Sequence, residues 1–238
     1  MFINAMKDVS HTKNQIQSVT NFQDLVATPF QGAVNALCWN RKLEGDFSEI
    51  ANKVDCTETM ATVSREELLE LQLSEQGQLA REILLNDLKL LEGYGAAPIL
   101  NVIQHYERDE DFPWFPTDVY SFHVDRSPVP TDTFLCTYYG AASDIIPNEQ
   151  AIQKIRVPEI RAELKKLYQG DEGAGFEDFL REYFFDLHYK ENPNAQPINL
   201  GVCNLWRLAV DHPKSKVLPC IHRAPMENAG ERRLLLIC

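Results

Sequence analysis

Apolar residues recur along the chain in two rhythms, and the change from one to the other outlines the fold. From Ser64 to Gly93 the segment SREELLELQLSEQGQLAREILLNDLKLLEG carries leucines at helical spacing. Ser64 with Glu67 three places on has the form of a capping box, and Gly93 supplies a stop. The spacing predicts one long amphipathic helix, or a pair broken near Gly77, with the leucine stripe on a sheet and the charges in water. Residues 33–39, AVNALCW, read as a strand entering the core. After Gly95 the period shortens. ILNVIQHY, DVYSFHVD and TFLCTYY are short β-rich runs between proline, aspartate and glycine clusters, the pattern of an antiparallel sheet. NEQAIQKI, EIRAELKKLY and GFEDFLREYFFDLHY return to helical periodicity over residues 148–190, and LGVCNLWRLAV, SKVLPCIHR and ERRLLLIC close the chain as strands.

These elements predict a single α+β domain over residues 1–238. A polar, mobile N-terminus (1–20) leads to a helical part (33–95), and a β core (98–146 and 198–238) is interrupted by a helical insertion (148–190). With 44% hydrophobic residues the chain can bury one substantial core. Its 23 basic and 35 acidic side chains give a net charge of −12, which repels phosphate backbones and anionic lipid, so neither nucleic acid nor a membrane is an expected partner. A recessed site with its own arginines can still take a small anion. No apolar run approaches the roughly 20 residues of a membrane span. The start, MFINAMKDVSHTKNQ, lacks a basic stretch followed by an apolar one, so the expected location is the cytoplasm. The six cysteines include no C-x-x-C pair and are expected to be reduced, with Cys136, Cys203 and Cys220 acting as small hydrophobes. The leucine-rich helix is compatible with a homodimer as well as with packing inside one chain.

The chemistry concentrates in SFHVDR. In a strand alternate side chains share a face, so His123 and Asp125 point one way and Val124 the other. A third ligand is available in His222 of PCIHRAP, 222 − 123 = 99 positions later. Two imidazoles and one carboxylate leave open positions on an octahedral ion, which suits non-haem iron(II). H-x-D alone occurs often by chance, and a histidine in an apolar strand is more often a satisfied core residue. The weight comes from Arg233, eleven residues after His222, with Arg232 before it. A guanidinium there could pair with the far carboxylate of 2-oxoglutarate. His11, His105, His188 and His212 have no such partners and are expected at the surface or in structural roles. Arg126 is expected to meet an anionic substrate or to pair with Asp132. The aromatic run FPWFPTDVYSF reads as core packing in preference to a lid, and Asp109, Glu110 and Asp111 as a solvated turn.

This order of H-x-D, a long interval, then H and a basic residue resembles the iron(II)/2-oxoglutarate-dependent dioxygenase superfamily. A narrower likeness is to an uncharacterised bacterial family with segments like FHVDRSPVPTDTFLCTYYGAASDII and CIHRAPMENAGERRLLLIC and a W-x-R matching Trp39 and Arg41. The resemblance implies a double-stranded β-helix (jelly-roll or cupin-like) core at 98–146 and 198–238. It implies iron(II) held by His123, Asp125 and His222, and 2-oxoglutarate as co-substrate anchored by Arg233, with Arg232 in reserve. On the strand TFLCTYY, Thr137 and Tyr139 share one face and Tyr138 the other, and one of the two tyrosines, Tyr138 in preference, is expected to donate to the same carboxylate; Cys220 is expected to lie on the metal side of its strand. The implied activity is oxidation, by hydroxylation or desaturation, of a small-molecule or peptide substrate. The alternative is a jelly-roll metal-binding or sensing protein that uses the same triad without 2-oxoglutarate turnover.

Overall fold

A computed structural model describes residues 15–228 and 230–238. His11 and most of the expected mobile start lie outside the described residues, but Ile16–Val19 is a strand, β1, paired in parallel with β2 (Ala36–Trp39) across α1 (Phe22–Ala27). The chain continues through α2 (Phe47–Lys53) and β3 (Met60–Thr62). The helical run then forms two helices, α3 (Arg65–Glu70) and α4 (Glu75–Tyr94). The capping box is present, with Ser64 Oγ accepting from Glu67 N at 3.1 Å and the Glu67 carboxylate accepting from Ser64 N at 2.8 Å. The break falls at Ser74, not at Gly77. Ser74 Oγ caps α4 by accepting from Gly77 N at 3.1 Å, while its own N–H and O–H donate to Glu49 on α2. Gly77 lies inside α4, where any Cβ would collide with the Glu49 carboxylate. The stop is two residues past Gly93, at Gly95, whose left-handed φ of 98° a side chain would resist.

The β region contains β4 (Ile99–Ile103), β5 (Asp132–Tyr139) and β6 (Asp144–Ile146). The 148–190 segment carries α5 (Pro158–Tyr168) and α6 (Ala174–Glu182), but it is bracketed by an antiparallel ribbon, β7 (Ala151–Gln153) against β8 (Tyr189–Glu191), that helical periodicity did not predict. The chain closes with β9 (Ile198–Asn199), β10 (Leu205–Ala209), β11 (Ile221–Arg223) and β12 (Arg233–Ile237). The fold is therefore a mixed α and β one, built on a seven-stranded sheet in the order β1-β2-β10-β5-β12-β4-β3 and a small sheet in the order β11-β6-β9.

Side-chain alternation on the large sheet divides the core. Phe134, Cys136, Leu234 and Leu236 face the helices and bury against Ile50, Leu84, Leu88 and Leu91, so the leucine stripe of α4 is used within the chain. Leu135, Leu235, Trp206 and Ile103 face the small sheet and pack on Ile145 and Cys220. A third cluster joins Phe115 to Phe176, Leu180 and Phe185, so Phe115 packs in a core, whereas Trp114 is 46% exposed. Beneath the helices, Asp87 of α4 accepts from Arg41 Nη1 and Tyr138 Oη, both at 2.6 Å, all three side chains being buried. No helix among the described residues is long and apolar enough to cross a membrane.

Candidate metal centre

His123 does not sit in a regular strand. The run DVYSFHVD, expected to be one, touches its neighbours through single backbone bridges, His123 with His188 and with His222, because successive residues pair with different segments. His123 and His222 exchange two backbone hydrogen bonds, each 2.9 Å, while Val124 N donates to Leu187 O and Asp211 N to Asp125 O. That antiparallel pairing brings the two imidazole rings to 4.5 Å between centroids. Val124 turns inward with Phe122, Ile146 and Ile221, and Asp125 turns towards the histidines, its Oδ2 3.7 Å from His222 Nε2. One ligand atom each from His123, Asp125 and His222 lies within 4.8 Å of the others, and this is the one such group among the described residues.

The ring protons are placed by the backbone. His123 Nδ1 is 2.7 Å from the carbonyl of Ser121, and His222 Nδ1 is 3.2 Å from that of Cys220. A carbonyl can only accept, so each Nδ1 carries a hydrogen and Nε2 is the ring nitrogen left to face a ligand. That is the tautomer and support a metal-bound imidazole requires. Burial, which alone would raise the Asp125 carboxyl, is outweighed by His222, by the Thr133 hydroxyl that donates to it and by His123, so its pKa lies below the usual value. The donor set is thus two imidazoles with Nε2 turned to the site and a carboxylate, and it fits a divalent cation.

His188, expected at the surface or in a structural role, is 4% exposed, its ring 5.8 Å from that of His123 and its Nδ1 buried without a partner. Nothing in its sequence setting signals this, because it arrives from the far end of the 148–190 segment. That segment also supplies Arg181, Phe184 and Leu187 to a cavity of about 780 Å³ that His123, Asp125 and His188 line from below. Arg126, at its edge, pairs with Asp186 at 2.6 Å and Asp211 at 3.0 Å, not with Asp132, which Arg207 holds at 2.7 Å. Asp109 accepts from Thr117, consistent with a turn.

Arg233 points from β12 into the space between the sheets. It is 1% exposed, with Nη2 donating to Thr137 Oγ1 at 2.9 Å and Ser143 Oγ at 2.8 Å, and Nη1 3.4 Å from Tyr106 Oη. It has no ion pair among the described residues and its Nε has no partner; burial lowers its pKa, only partly offset by Tyr106 and by the more distant Glu227 carboxylate. Gly140, at φ 81°, allows the chain after β5 to press on this stretch, for a Cβ there would lie 2.6 Å from Arg232 O. Two expectations fail here. Arg232 faces the helices and donates to the carbonyls of Ala51 and Val54 at the end of α2, so it is no reserve anchor. Tyr138 also lies on the helix side, bound to Asp87, where β5 is bulged against Leu234 and Leu235; the hydroxyls beside Arg233 belong to Tyr106, Thr137 and Ser143.

The histidines set a pH dependence. Burial, reinforced by His222, brings His123 from 6.5 down to about 4, and burial with His123 and Lys154 brings His188 down to about 3. The unfolded chain takes these protons near its ordinary value of about 6.5 and the folded chain resists them. Their stabilisation is therefore complete above that pH and drains away as pH falls through the folded values. Metal-free protein should lose melting temperature steadily on acidification below about pH 6.5. A thermal melt that stays flat from about pH 7 to about pH 5 would show that these rings are not held neutral.

Compared with family models, with curated proteins and with solved structures, the chain finds no match, so its likeness to the dioxygenases rests on the motif residues alone.

Proposed function

We propose that this chain is a non-haem iron(II) oxygenase that uses 2-oxoglutarate to oxidise a small molecule. One combination carries the reading: a three-residue ligand cluster of which His123 and Asp125 line a cavity, and a buried guanidinium that makes no ion pair among the described residues and whose Nε has no partner. An unpaired buried charge is costly, and a bound carboxylate would remove that cost while Thr137, Ser143 and Tyr106 fix its position. The strand order supports a double-stranded β-helix. From β4 onward, successive segments fall in the large sheet (β4), on β11 of the small sheet (His123), then large (β5), small (β6, β9), large (β10), small (β11) and large (β12). Iron(II) bound by the triad would supply dioxygen activation. The protein's part is to hold both Nε2 atoms and the Asp125 carboxylate convergent, to seat the co-substrate at Arg233 and to shield the site with the 148–190 segment.

A second reading, a metal-binding or sensing protein without 2-oxoglutarate, is favoured by one observation: Arg233 does not line the cavity over the histidines. Arg233→Met separates the two. Loss of a bidentate charge-assisted contact should weaken 2-oxoglutarate binding roughly ten- to hundredfold, about 1.5–3 kcal/mol. Removing a buried charge that has no partner should leave the metal-free fold equally stable or more so. Anaerobic titration of iron-loaded protein with 2-oxoglutarate, followed by its weak visible charge-transfer band, gives the affinity. Undiminished binding in the variant would transfer the assignment to the second reading.

A further inference from the structure

The cavity over the histidines has an apolar wall and an uneven set of charges. Exposed Val119 and Phe184 line it together with the more buried Leu187 and Val124. Of the charged groups, Arg126 is committed to Asp186 and Asp211, and Asp118 accepts from the backbone N–H groups of Asp109 and Tyr120. Arg181, in the last turn of α6, is different: it lines the cavity, is exposed, and makes no ion pair among the described residues. Three residues on, Phe184 has a left-handed φ of 59° and is 59% exposed. A bulky side chain in that conformation is strained and its ring sits in water, so two costs are met at one position that a ligand could cover.

We propose that the cavity receives a small amphipathic anion, with an apolar body against Val119, Val124, Phe184 and Leu187 and one anionic group on Arg181. The volume of about 780 Å³ suits a small organic ligand. The assignment rests on the oxygenase reading in one respect, that this cavity is the substrate side of the metal centre. Arg181 is then a specificity-determining residue, and the anion it selects is distinct from the one Arg233 would hold, because the two guanidinium groups belong to different spaces.

Titration calorimetry on the full chain after removal of metal by chelation tests this with octanoate, octyl phosphate and the neutral octanamide. At least one of the two anions should bind about tenfold more tightly than octanamide, and which of them does so identifies the head group as carboxylate or phosphate. Arg181→Gln should remove that preference while leaving octanamide binding in place, and Phe184→Ala should weaken all the ligands that bind. Equal binding of octanamide and the anions, a preference that survives Arg181→Gln, or no binding by any of the three would overturn the proposal. Since no metal is present, a failure of iron or 2-oxoglutarate binding leaves this result standing and counts against the oxygenase reading alone.

Discussion

His222→Ala should abolish metal binding while leaving the fold in place. The ring supplies one of the three convergent ligand atoms, whereas the backbone pairing of residues 123 and 222 does not depend on the side chain. Loss of a partner behind a ligand already lowers metal affinity roughly 10- to 100-fold, so loss of a ligand itself should exceed that. Elemental analysis after reconstitution with iron(II) and gel filtration should find about one metal per wild-type chain and almost none in the variant, with matching far-ultraviolet circular dichroism. Near-stoichiometric iron in the variant would mean that this cluster is not the metal centre.

Asp87→Ala should be among the most destabilising single changes. It leaves the Arg41 guanidinium, 5% exposed, without its carboxylate, and it leaves the buried Tyr138 hydroxyl without an acceptor. Removing one partner of a buried ion pair costs about 3–5 kcal/mol. That is a large share of the roughly 5–15 kcal/mol that holds a domain together. Asp87→Asn should cost less, since it keeps an oxygen for Tyr138. Urea unfolding measures both, and a loss below about 1 kcal/mol for the alanine variant would show that water replaces the carboxylate at no great cost.

Local patterns were the legible part. Ser64 and Glu67 announce their helix because a cap depends only on neighbours in sequence, and the runs that became β5, β10 and β12 stand out as short, largely apolar stretches because each is buried on both faces of one sheet. Convergence of His123 and Asp125 was readable from their spacing, whereas the choice between Arg233 and Arg232 stayed open in the sequence and is made by the face of β12 that each occupies. Tyr138 was misplaced because the choice between two adjacent tyrosines turns on which sheet face meets the helices and on a bulge, neither of which leaves a local mark. The same holds for DVYSFHVD, a β-rich run that finds no continuous partner strand, and for His188, brought to His123 by one bridge across 188 − 123 = 65 positions.

The cross-pairing of His123 with His222 also bears on how the site comes into being during synthesis. A growing chain carries His123 and Asp125 for 97 further residues, 222 − 125, before the third ligand is added, and Arg233 follows later still. Two ligands on an unpaired segment hold a divalent ion weakly, and the partner strand that would align them is made near the end. Metal capture at the proposed centre therefore belongs after β11 has been made, and an ion pool acting earlier would meet two of its three ligands.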